Sequence, residues 1–139
     1  MAESAKKRWV TIRKIRKDER GRIHHPTRRE LESQMRTLHR KLLKGDTSTV
    51  IHYSIEGDHG DGYHTHLSVT YTNDTNLFDV LYRFIGGVGD WKRTVRKLTP
   101  IWECEGQWGT VTVGREFIKS DRSYNSYINK FHSSRTLVG

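Results

Sequence analysis

His64 and His66 stand two residues apart in a run, Tyr63 to Thr72, that alternates polar and apolar side chains. On a strand, residues at i and i+2 point the same way, so the two imidazoles can bind one ion together. Alternation puts Leu67, Val69 and Tyr71 on one face and His64, His66, Ser68 and Thr70 on the other. The preceding run, Thr49 to Glu56, separates Ile51, Tyr53 and Ile55 from His52, Ser54 and Glu56 in the same way. The turn-rich Gly57-Asp58-His59-Gly60-Asp61-Gly62 joins the two runs as a hairpin. If the strands share one core their apolar faces must coincide, because a one-residue slip would bury the polar set. Glu56 then joins the histidines on one face.

A set of two imidazoles and one carboxylate suits Mn²⁺ or Mg²⁺, with Zn²⁺ also compatible, and leaves positions for water and a phosphate oxygen. That open coordination is what metal-assisted phosphoryl chemistry requires. The same parity also describes an ordinary solvated face of an antiparallel sheet, which is normally polar. His52 and His59 are substitute ligands, and His24-His25 reads as an exposed loop pair.

The elements that must position these residues follow from periodicity and turn chemistry. Lys6 to Arg16 reads as a strand, and Asp18 to Pro26 as a polar connection. Thr27-Arg28-Arg29-Glu30 has the capping-box form, and Leu31, Met35, Leu38 and Leu42 follow at helical spacing up to a stop at Gly45. After the hairpin, a second helix is expected to begin near Asn76, with Leu77, Val80, Leu81 and Phe84 on one face. Trp91 to Leu98 fits neither pattern. Ile101 to Glu105 and Gln107 to Val113 read as a strand pair, and Asp121 to Phe131 as a final helix carrying Tyr124, Tyr127, Ile128 and Phe131. The expected fold is α+β, a single domain over residues 1–139 whose antiparallel sheet carries helices mainly on one face.

Composition bounds the function. The 139 residues hold 25 basic and 16 acidic side chains, a net charge of +9, which favours a polyanionic partner. Cys104 is the sole cysteine, so an intrachain disulfide and a cysteine-based zinc site are excluded. No run is long and apolar enough for a membrane span, and the N-terminus has no signal-peptide stretch, so the expected setting is cytoplasmic. The absence of a GxxxxGK[ST] motif excludes an ATP-driven helicase within this sequence.

His64-Thr65-His66-Leu67 resembles the histidine–x–histidine motif of the HUH endonucleases, the superfamily of Rep proteins and relaxases. Thr65 departs from the hydrophobic residue usual between the histidines, although its methyl group can face the core. Glu56 on the preceding strand resembles the acidic metal ligand of viral Rep proteins, and Tyr127-Ile128-Asn129-Lys130 is similar to their YxxK motif on a late helix. The expected order of elements also fits the Rep nuclease fold, a ferredoxin-like or RRM-like arrangement.

The resemblance implies that Tyr127 attacks a phosphodiester of single-stranded DNA, at an origin or a DNA hairpin, leaving a 5′-phosphotyrosine and a free 3′-hydroxyl. Residues at i and i+3 share a helix face, so Lys130 can reach the same phosphate and favour the phenolate of a tyrosine that ordinarily titrates near 10. Tyr124 lies one turn earlier and is a second tyrosine for strand transfer, or a packing residue. Lys6, Lys7, Arg8, Arg13 and Lys14 would guide the strand. The role implied is initiation of rolling-circle-type replication of a small virus, phage or plasmid, in the host cytoplasm. A homodimer and a host or plasmid helicase are compatible partners. Two other readings stay open: a single-tyrosine transposase of insertion-sequence type, and a nucleic-acid-binding module without catalysis. A nuclease that activates water is a third.

Overall fold

A computed structural model describes residues 4–58, 62–119 and 135–139. The first strand, β1 (Lys6–Lys14), is followed by a two-residue pair, β2 (Arg16–Lys17) and β3 (Ile23–His24), inside the stretch expected to be only a connection. Helix α1 (Arg28–Gly45) leads to β4 (Val50–Asp58) and β5 (Gly62–Tyr71). Helix α2 (Asp74–Phe84), β6 (Lys92–Arg96), β7 (Thr99–Gly106), β8 (Gly109–Gly114) and β9 (Arg135–Leu137) complete the order. Seven strands form one antiparallel sheet in the order β6-β7-β8-β1-β5-β4-β9. The fold is α+β, as expected. The final helix expected over Asp121 to Phe131 lies outside the described residues.

Helix α1 starts where the capping box requires. The Thr27 hydroxyl accepts from the Glu30 N–H while the Glu30 carboxylate accepts from the Thr27 N–H, satisfying two donors that have no partner within the helix. Leu31, Met35, Leu38 and Leu42 are buried, and Leu77, Val80, Leu81 and Phe84 do the same on α2. Both helices pack on the sheet face made by Val10, Ile12, Ile51, Tyr53, Ile55, Leu67, Val69, Val111 and Val113, forming one hydrophobic core. Near the far strands, Phe78 of α2 meets Trp91 and Trp102 edge to face at 5.0 and 6.2 Å.

The helices meet at a tight junction. A β-carbon on Gly45 would lie 2.0 Å from Asn76 Oδ1, and the Asn76 amide uses that proximity to donate to the Leu42 carbonyl at 2.9 Å. Asp46 caps the end of α1 and is buried. Its carboxylate accepts from the Ser48 hydroxyl and from the backbone N–H groups of Thr72, Asn73 and Ser48. Burial alone would raise this carboxyl; the hydrogen bonds outweigh it and hold the group well below the usual carboxylate range.

Strand β6 resolves the stretch that fits neither pattern. It is an edge strand with only Thr94 partly covered, so no buried face imposes alternation on it. Strand β9 was not anticipated. It pairs with β4 through Ile51↔Leu137, His52↔Thr136 and Tyr53↔Arg135 and covers the other edge. No described helix is long and apolar enough to cross a membrane.

Candidate metal centre and nucleic-acid face

The β4–β5 ladder pairs Glu56 with His64, Ser54 with His66 and His52 with Ser68. Directly paired residues share a face, so Glu56, His64 and His66 project from the side opposite the helices. Thr65 points the other way, fully buried between Ile12 and Ile55. The side chain between the histidines therefore serves the core even though it is not a hydrophobic residue.

His66 donates through Nε2 to Glu56 Oε2 at 2.8 Å, and its Nδ1 lies 3.4 Å from Thr11 Oγ1. His64 and His66 stack with ring centroids 6.2 Å apart and planes 7° from parallel. The Arg13 guanidinium contacts His64 Nε2. Burial is the largest influence on His64, and Arg13 and His66 add repulsion, so its pKa falls below the usual histidine value despite Glu56. The ring is accordingly an acceptor at neutral pH, the form a metal or a guanidinium needs. His52, at the other end of β4, is also lowered, by burial and by Lys7, and its Nδ1 pairs with Thr136 Oγ1 at 3.0 Å.

No group of three or more His, Cys, Asp or Glu side chains among the described residues is placed so that it could hold a metal ion together. The donor chemistry nonetheless fits an oxygen- and nitrogen-binding divalent ion. Adjacent ligands at about 2.1 Å from an octahedral ion are about 3 Å apart, close to the Glu56–His66 separation. Beside them, the Ser54 hydroxyl is completely buried without a hydrogen-bond partner among the described residues. Arg13 stands on the third donor, placing a cation against His64.

Strand register divides the five basic residues expected to guide DNA. Lys7 pairs with Thr70, and Arg13, two residues beyond Thr11 on the same strand, contacts His64, so both share the histidine face. Lys6, Arg8 and Lys14 alternate with them and serve the fold instead. Lys6 bonds Asp74 at 2.6 Å. Arg8 donates to Tyr71 Oη and to the carbonyls of Gly114 and Arg115, and lies over Phe117. Lys14 donates to the Phe84 carbonyl at 2.6 Å with its ammonium over the Phe84 ring, and burial followed by repulsion from Lys41 lowers its pKa to about 8.

Trp9, expected only as part of the first strand, also borders the site. It lies between Lys7 and Thr11 on β1, opposite Ser68, and so belongs to the histidine face. Trp9, Thr11, His66, Ile101, Thr112 and Phe117 border a cavity of about 540 Å³ beside the site. Parity along β1 was the available signal, since Val10 and Ile12 mark the core side. Tyr127, Lys130 and Tyr124 lie outside the described residues, as does His59. No protein-family model, curated protein or solved structure matches the chain.

Proposed function

We propose that this chain is a metal-dependent, site-specific endonuclease and strand transferase for single-stranded DNA, with Tyr127 as nucleophile, that initiates rolling-circle-type replication of a small virus, phage or plasmid. The observation that supports it best is the convergence of Glu56, His64 and His66 on one sheet face, with carboxylate and imidazole 2.8 Å apart.

Glu56 Oε2 and the Nε2 atoms of His64 and His66 would hold Mn²⁺ or Mg²⁺, which supplies Lewis-acid polarisation of the scissile phosphate. Bound through Nε2, His66 carries its proton on Nδ1, where Thr11 Oγ1 is the neighbouring acceptor. Arg13 and Lys7 are the cations of this face that attract the DNA backbone. In the step implied by the resemblance, the Tyr127 hydroxyl oxygen loses its proton and bonds to phosphorus. The 3′-oxygen departs and gains a proton, giving a 5′-phosphotyrosine and a free 3′-hydroxyl. Lys130 offsets the charge that accumulates on the phosphate oxygens. Attack by a 3′-hydroxyl on the phosphotyrosine rejoins the strand, so the phosphodiester energy is conserved and ATP is not needed.

Incubation with labelled single-stranded oligonucleotides and Mn²⁺ should give a denaturant-stable adduct mapping to Tyr127, absent in Tyr127→Phe. An adduct that persists in that variant transfers the role to Tyr124 or ends the proposal. A DNA hairpin-end preference over an origin loop would favour the transposase.

One observation favours a second reading, a single-strand-binding module without catalysis. Trp9 and Phe117 beside the cavity offer the aromatic surface on which bases stack. Binding without any adduct or cleavage product would select it.

A further inference from the structure

We propose that the β6–β7 hairpin is a wedge for duplex DNA, with Leu98 at its tip pressed against a base step and the cations of the hairpin on the flanking phosphates. The inference rests on the DNA reading above and extends it to a double-stranded flank of the substrate.

The tip is built against its own stability. Arg96 pairs with Thr99, so Lys97 and Leu98 form a two-residue turn. Both have positive φ, 49° and 67°, which is the pattern of a type I′ turn. Such turns favour Asn-Gly, because a β-carbon crowds the backbone at positive φ and a branched aliphatic side chain has no polar group to compensate. Leu98 is also 95% exposed, the most exposed of the large hydrophobic residues described. Two unfavourable choices coincide in one turn, with no packing gain from the leucine. Violations of this kind concentrate where a side chain is kept for contact with something else.

The charges around the tip specify a polyanion. Lys97 lies in the turn and Arg96 ends the strand beside it, with Arg93 and Lys92 farther back along β6. Glu103 pairs with Arg96 at 2.5 Å, and Arg93 stacks over Trp102 at 5.0 Å, holding two of the cations in place. An apolar tip with a cation beside it, as Lys97 is beside Leu98, is how proteins open a base step while gripping the adjacent phosphate.

The hairpin is also aligned with the candidate metal centre. Lys92 pairs with Glu103, Glu103 with Thr112, Thr112 with Thr11, and Thr11 with His66. One continuous row of side chains on the same sheet face therefore links the wedge strand to the histidine. At about 4.8 Å per strand, β6 and β5 lie about 19 Å apart. The row meets β6 at Lys92, the end away from the tip, so a strand unpaired at Leu98 would run back along the hairpin before following this row to His66.

The test uses the full chain with a stem–loop DNA carrying 2-aminopurine at the terminal stem pair, and with the loop as a linear single strand. Leu98→Gly should raise the melting temperature of the protein by relieving the turn. The same change should weaken stem–loop binding about ten-fold and abolish the 2-aminopurine brightening, while linear single-strand binding is unchanged. Leu98→Met should retain both stem–loop signals. Unchanged stem–loop binding and brightening in Leu98→Gly would overturn the wedge, as would an equal loss on both DNAs. Leucine-dependent binding to phosphatidylserine vesicles, with no effect on the stem–loop, would assign the tip to a membrane surface and also overturn it. Cleavage of the linear strand with no junction opening would reject the wedge alone, whereas no binding to either DNA would reject the DNA reading with it.

Discussion

Glu56 pairs with His64 in the β4–β5 ladder, yet its carboxylate reaches the neighbouring His66, leaving the Nε2 of its own partner to Arg13. Two hydrogen-bond donors, Arg13 and His66, thus engage one cluster. Arg13 meets the neutral imidazole, while His66 carries the hydrogen bond to the carboxylate. If these residues held a divalent ion, His66 would carry its proton on Nδ1 rather than Nε2 and the guanidinium would leave His64, freeing Arg13 for phosphate.

Loss of any ligand should therefore remove cleavage and spare the fold. Glu56→Gln, His64→Ala and His66→Ala are each expected to reduce Mn²⁺-dependent adduct formation by about 100-fold or more. Glu56 is substantially exposed, with 49% of its side chain in solvent, so Glu56→Gln should melt within a few degrees of the parent. Thermal denaturation alongside gel-shift adduct analysis checks both expectations.

Lys7 and Arg13 should behave differently from Lys6 and Arg8 in DNA binding. Replacing Lys7 or Arg13 with Gln is expected to reduce the slope of log affinity against log salt by about 0.7 each for single strands. Lys6→Gln, which breaks the pair with Asp74, should leave the slope unchanged and cost stability of about 1 kcal/mol or less. Salt titrations of fluorescence anisotropy separate the two groups.

Acid should unfold the chain partly through Asp46. Its pKa is lowered on folding, so its stabilisation is fully present above the unfolded carboxylate value of about 4 and is lost as pH falls toward the folded value. Asp46→Ala should destabilise the protein by about 2–4 kcal/mol at pH 7, because five hydrogen bonds end on its buried carboxylate. The gap between parent and variant should narrow in urea titrations below pH 4.

Lys14 has a pH signature of the same sign in a higher window. Its folded pKa is about 8, below an unfolded value of about 10.4. The folded state therefore binds fewer protons in this window, and Lys14 adds stability as pH rises from about 8 to 10.4. The gain is about 1–2 kcal/mol after allowance for solvent screening. Lys14→Met should flatten that part of the stability profile, measured by chemical denaturation across the window.

The parts of the fold most legible in sequence were those where one face is buried. In the hairpin, Ile51, Tyr53, Ile55, Leu67, Val69 and Tyr71 all reach the core, so parity alone assigned Glu56, His64 and His66 to one side. The Thr27–Glu30 box was equally readable because both halves of the reciprocal bond are local. Strand β6 was not legible, since an exposed edge imposes no period, and β9 is three residues whose reason for pairing lies on distant β4. The basic residues of β1 show the limit of charge counting. Lys6, Arg8 and Lys14 contribute to net charge as Lys7 and Arg13 do, but only register reveals that their side chains are committed to Asp74, Tyr71 and Phe84.

The position of β1 has a consequence for how the chain reaches this structure. It is made first, yet it lies between β5 and β8, and its partners along β8 extend to Val113. During synthesis the N-terminal strand must wait with an open edge until nearly the whole sheet has been translated. Folding is accordingly dominated by closure of long loops and should be slow for a domain of this size. The emerging chain carries its greatest risk of pairing with a neighbour before β8 arrives.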